Sequence, residues 1–131
     1  MITDQELKGL IRKFIVSSNA LCSLSGEIIT TTRPDNSGKE DAVISVLDNH
    51  NDEIQQVTIN VNVYVPDINP KGYYEEDGIR LKDLCIICKD LFEKKSLDLL
   101  LFKEYQQKVY KNESTSEHFV NNKIIYKFNN E

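Results

Sequence analysis

A chain of 131 residues with 40% hydrophobic and 28% charged side chains has the size and make-up of one folded domain. It is long enough to bury about two thirds of its unfolded surface, and its composition is not that of a disordered segment. A formal net charge of −5 and a pI near 5.1 deny it the broad positive field that drives nonspecific nucleic-acid binding.

No apolar run approaches the roughly 20 residues that span a bilayer. Asp4 and Glu6 stand where a signal peptide carries base, so the chain is expected to stay in the cytoplasm that makes it. Thr3 and Glu6 have the spacing of a capping box, and Leu7, Leu10, Ile11, Phe14 and Ile15 recur at helical intervals, which predicts an amphipathic helix over residues 4 to 17. Glu27 to Thr32 is a short β-branched stretch that predicts a strand, and Pro34 to Asp41 combines turn formers with charge, as an exposed, mobile loop does.

Ala42 to Leu47 reads as a strand and Asp48 to Asp52 as a polar turn, leading into Ile54 to Val65. There Val57, Ile59, Val61, Val63 and Val65 alternate with Thr58, Asn60, Asn62 and Tyr64, the period of a strand with one buried face. Pro66 and Pro70 end that strand, and the connection from Asp67 to Gly78 holds Tyr73 and Tyr74. Leu81, Leu84, Cys85, Cys88, Leu91 and Phe92 then form one helical stripe, which predicts a second amphipathic helix over about 79 to 94. Residues 97 to 102 are apolar but too few for periodicity to separate strand from helix, and the segment 97 to 104 is left unassigned. Tyr105 to Lys111 and Lys123 to Phe128 read as a strand pair around a polar turn. The order predicts an α+β single domain, two amphipathic helices packed on a mainly antiparallel sheet.

Chemical motifs are sparse. Cys85 and Cys88 have C-x-x-C spacing, but they fall inside an apolar helical stripe and not at a helix N-terminus, where the dipole would lower a thiol pKa; core packing accounts for them. Cys22, His50 and His118 supply no paired spacing for a zinc site, and either histidine is expected to be exposed or hydrogen-bonded in a structural role. There is no nucleophile elbow and no glycine-rich phosphate loop. The acidic runs Asp48 to Glu53 and Glu75 to Asp77 lack the ligand spacing of a calcium loop and read as solvated charge. No catalytic residue, cofactor or metal is expected. Asn60, Asn62 and Tyr64 lie in a stretch without charge, which an exposed sheet face usually carries as a defence against pairing, so a partner or another layer should cover them. Tyr73 and Tyr74 either anchor a partner or cap the helix–sheet core.

The N-terminal helix, Gly26 to Thr30, the hairpin from Asp41 to Val65, the helix from Arg80 to Phe92 and the closing Glu117 to Phe128 follow one another in an order that resembles the tail terminator, or tail completion, proteins of long-tailed bacteriophages and prophages. The resemblance runs over nearly the whole chain and rests on order and pattern, since that family carries no catalytic signature. It implies a non-enzymatic subunit that assembles with itself into a ring, a hexamer by the family's pattern, at the head-proximal end of the tail tube. Its further partners would be the tail tube protein and a head–tail connector protein, with DNA only as passing cargo and the virion as its final location. Two other readings stay open: a connector or stopper subunit of the phage neck, and a small cytoplasmic binding module using one of the acidic runs.

Overall fold

A computed structural model describes residues 1–93, 96–97 and 100–129. Helix α1 (Asp4–Ser18) starts where the capping box places it: Thr3 Oγ1 accepts from the Glu6 N–H at 3.3 Å, and Glu6 Oε1 accepts from the Thr3 N–H at 3.2 Å. Asn19 stops it in the left-handed conformation, φ 58°, a position asparagine tolerates better than most residues. Helix α2 (Gly78–Phe92) is capped by Asp77, whose carboxylate accepts from the Arg80 N–H; Lys94, the end of the expected helix, lies outside the described residues.

Between and after the helices the chain forms six strands: β1 (Ile28–Ile29), β2 (Ala42–Asn51), β3 (Ile54–Pro66), β4 (Ser96–Leu97), β5 (Leu100–Asn112) and β6 (Glu117–Asn129). They make one sheet in the order β1-β2-β3-β6-β5-β4, antiparallel at every junction except β1 with β2. The α+β architecture is the one that the hydrophobic periods predict.

Three local expectations are corrected. The turn expected over Asp48 to Asp52 is shorter, with the reversal at Asp52 and Glu53: β2 continues through Asn51, because the long β3 offers partners as far as Gln55, and Asn49 is held by Ile2 O and Asp4 Oδ1. The strand expected over 27 to 32 shrinks to Ile28–Ile29, which pair only with Ala42 and Val43 before the chain departs. The loop from Pro34 to Asp41 is not wholly exposed, since Asp41 is 2% exposed and bonded to Ser37 and Arg33. The unassigned 97 to 104 segment divides between β4 and the start of β5, with Asp98 and Leu99 outside the described residues.

Both helices lie on the same face of the sheet. Val57, Ile59, Val61, Val63 and Val65 are each at most 1% exposed and meet Leu7, Ile11 and Ile15 of α1 and Leu81, Leu84, Cys88 and Leu91 of α2 in one core. Asn122 carries a polar group into that core. Asn122 occupies a core-facing position between Val120 and Ile124; its Nδ2 donates to Val61 O at 3.0 Å, and its Oδ1 accepts from the Tyr105 hydroxyl at 2.6 Å. Gln107 completes the network by donating to Cys85 O of α2 at 2.8 Å, so the helix is tied to the sheet by hydrogen bonds as well as by burial. The two faces of β3 should respond differently to truncation. Ile59→Ala is expected to lower stability by about 2–5 kcal/mol through the cavity it leaves, and Asn60→Ala by no more than about 0.5 kcal/mol. Urea unfolding of the two variants checks this, and equal losses would contradict the assignment of faces.

Candidate functional site

The face of the sheet turned away from the helices carries no helix among the described residues. Thr58, Asn60, Asn62 and Tyr64 of β3 reach it because their neighbours point into the core, and pairing sets them opposite Ile125, Lys123, Asn121 and Phe119 of β6. Asn121 Nδ2 donates to Asn62 Oδ1 at 2.6 Å and to Asn60 Oδ1 at 3.4 Å. Half-burial of these residues comes from packing against one another within the layer.

At one end of the face three rings form a row. Tyr64 and Phe119 have centroids 5.2 Å apart, and Phe119 stacks on Tyr110 of β5 at 5.6 Å. The Arg33 guanidinium lies 4.2 Å above the Tyr64 ring and Lys108 Nζ 5.3 Å from the Tyr110 ring, so cations already cover both tyrosines. Arg33 is the centre of a charged cluster: its Nε meets Asp41 Oδ2 at 2.9 Å, Nη1 meets Glu117 Oε2 at 2.7 Å, and Nη2 donates to Lys39 O at 2.9 Å. The side chains of Asp41 and Glu117 are only 3% and 6% exposed. Burial pushes both carboxyls up, but hydrogen bonds from Arg33, with Ser37 and the Glu27 N–H for Asp41 and Asn112 for Glu117, outweigh it and hold both below the usual carboxylate range. Gly26 makes room for this cluster, since a Cβ there would strike the Asp41 carboxylate and come within 2.6 Å of Glu40 O.

Of the predicted contact residues, Asn60, Asn62 and Tyr64 are together on the uncovered face. Tyr73 and Tyr74 stand apart from them, in the connection between β3 and α2, and are 56% and 63% exposed, so they do not cap the core. Cys88 is buried and its thiol is pushed up to about 12 by burial, and desolvation raises the half-buried Cys85 as well; neither is an activated nucleophile. His118 Nδ1 is 2.7 Å from Asp67 Oδ1, and His50 Nε2 is 2.8 Å from Asp48 Oδ2 on the surface. Among the described residues no group of three or more His, Cys, Asp or Glu is placed to hold a metal, and no helix there is long and apolar enough to cross a membrane.

The charged cluster escapes sequence reading. Arg33 and Glu117 are separated by 84 positions, and nothing local marks either as paired. Asn122 did leave a trace, as a polar residue at an otherwise apolar alternate position. Comparison with protein-family models gives no match, and comparison with curated proteins gives none.

Replacing Arg33 with alanine leaves two buried carboxylates without a cation and is expected to cost about 3 kcal/mol at neutral pH. In the native chain both carboxyls titrate below their unfolded values of about 4, so the stability they contribute is complete above those values and is lost as pH falls through the lower folded ones. The gap between native chain and variant should therefore be widest near neutrality and narrow below about pH 4. Denaturant unfolding at a series of pH values measures it, and parallel profiles would contradict the role given to Arg33.

Proposed function

We propose that the chain is a structural virion subunit, a tail terminator that assembles with itself into a ring on the head-proximal end of a long-tailed phage tail tube. Its partners are further copies of itself, the tube protein and a head–tail connector protein; it assembles in the host cytoplasm and ends in the virion, with DNA passing through as cargo. The observation that carries the reading is the uncovered outer face of the two central strands, β3 and β6. A sheet with helices on one face only leaves its other face to water or to a partner, and here β3 meets that face with Thr58, Asn60, Asn62 and Tyr64, none of them charged. The order of helices and strands, which underlies the resemblance to tail terminators, supports it further. Asn60, Asn62 and Tyr64 are assigned to contacts between subunits; Tyr73 and Tyr74, exposed beside the start of α2, are assigned to the same assembly.

Purified protein is expected to form rings visible by negative stain, alone or on added tail tubes, and to stop tube elongation. Asn60→Glu with Asn62→Glu should abolish the rings while the melting temperature moves by no more than a few degrees. A native chain that neither assembles nor caps tubes would refute the terminator reading. Rings that survive the double substitution would remove these residues from the interface.

A further inference from the structure

The half of the open face formed by β5 and β6 presents Lys103, Lys108, Lys123 and Lys127, in a chain whose net charge is −5. Among the described residues none of the four takes part in an ion pair. Lys103, in the bulge between Phe102 and Glu104, donates to the neutral Gln56 Oε1 at 2.7 Å, and Lys108 meets the Tyr110 ring. The carboxylates of this half are engaged by other groups: Glu104 Oε1 accepts from Gln106 at 2.8 Å, and Glu117 is held by Arg33. Asp48, on the far side of β3, is beside His50. Arg33 and Arg80 each hold a carboxylate, whereas these four lysines are gathered without one, and such a cluster attracts an anion from outside.

The lysines form a series along the strands. Lys108 stands opposite Asn121, which makes Lys123 its diagonal neighbour at about 7–8 Å. Lys127 follows four residues on along β6, about 13 Å away. Gln106 and Asn121 lie between them, each with an amide that can both donate and accept. Tyr110 stands at the end of the series, 44% exposed and stacked on Phe119. The two cations that cover tyrosines differ in how firmly they are held. Arg33 is fixed over Tyr64 by Asp41 and Glu117, but Lys108 is exposed, and its contact with Tyr110 at 5.3 Å is a weak one that it can leave for a phosphate.

We propose that the β5–β6 half of the open face binds single-stranded nucleic acid, with phosphates along the four lysines and a base on the Tyr110 ring in place of the Lys108 side chain. Cations that track a backbone, beside an aromatic ring that takes a base, hold single strands with little regard to sequence. An acidic protein surface would engage the lysines and leave Tyr110 and the amides unused, and a duplex keeps its bases stacked inside, away from the ring. The acidity of the whole chain does not forbid the contact. Charges are screened over about 10 Å at 0.1 M salt, so a strand lying on this face meets the lysines and not the sum of the chain. The site lies on β5 and β6 and leaves Asn60 and Asn62 of β3 to the subunit contact, so it stands apart from the ring reading.

Fluorescence anisotropy of a labelled oligo-dT of about 15 nucleotides, titrated with the native chain at several salt concentrations, reads the site. Binding is expected, with a slope of log K against log salt of about −3 for four phosphates of a single strand. Lys108→Gln with Lys123→Gln should weaken binding at least about tenfold and roughly halve the slope. Tyr110→Leu should weaken it about tenfold and leave the slope unchanged. Unchanged circular dichroism and melting confirm that both variants fold, and the slope of the native chain is a test that needs no variant. Absence of binding would overturn the proposal, as would binding that the lysine pair does not weaken. Equal affinity for a duplex of the same length would overturn it too, and equal affinity for poly-glutamate would give the face to an acidic protein instead. A chain that binds the oligonucleotide and forms no rings would refute only the terminator reading; rings without binding would refute only this one.

Discussion

A strand places successive side chains on opposite faces, so the run of β-branched residues at alternate positions of β3 commits the sheet to a single buried face. β3 lies at the centre of the order, paired with β2 on one side and along its whole length with β6 on the other. A one-residue slip of either partner would carry its apolar side chains to the open face, which ties the register of three strands to one alternation. The helices follow from that choice, since their apolar stripes can be buried only against Val57 to Val65 and the matching positions of β6. A second consequence is the bare opposite face, because the chain has no third helix among its described residues to cover it.

Hydrophobic burial fixes the layers but not the path of the chain at their border, and there paired charges take over. Glu40 and Asp41 are adjacent, and each is held by a different arginine: Arg80 Nε meets Glu40 Oε2 at 2.7 Å, and Arg33 meets Asp41. The hydrogen bonds from Arg80, reinforced by its charge, keep the Glu40 carboxyl low despite partial burial. The first pair fastens the start of α2 to the β1–β2 connection; the second, through Glu117, fastens that connection to the outer face of the sheet. The loop thereby touches both sides of the sheet, with Arg33 near its start over Tyr64 on the open side and Glu40 near its end against Arg80 on the helix side.

The contrast between these two kinds of interaction explains what the sequence made legible. Periodicity is a local property, so α1, α2, the long alternating strand and the closing strand pair can be read from neighbouring residues. Capping is equally local, and Thr3 with Glu6 places the start of α1 without reference to the rest of the chain. The fate of a polar segment depends on distant partners instead. Asp48 to Asn51 are polar yet extended because β3 pairs with them, and Asp41 is polar yet buried because Arg33, Ser37 and the Glu27 N–H surround it. The same holds for the candidate surface: alternation identifies Asn60, Asn62 and Tyr64 as one set, whereas Lys103, Lys108, Lys123 and Lys127 beside them are gathered only by the pairing of β5 with β6 and by the bulge at Lys103, which interrupts the even spacing that would have placed it.

Edges are the usual alternative to faces when a sheet protein assembles, and the two edges here are poorly suited to it. Beyond Val43 on one side and Leu101 on the other, β2 and β5 have no further strand among the described residues. Each edge is broken by an irregularity, between Val46 and Asp48 in β2 and between Phe102 and Glu104 in β5, and a bulge twists the row of backbone groups that an incoming strand would need. Lys103, Lys108 and Lys111 add charge along β5, a further barrier to strand addition. With both edges blunted, the surfaces left for a large contact are the open sheet face and the outer side of the helices. One is a strand layer and the other a helix layer, so a contact between them would be head-to-tail. Head-to-tail contacts do not stop at two copies; they close a ring where the rotation between neighbours allows it and run on as a filament where it does not.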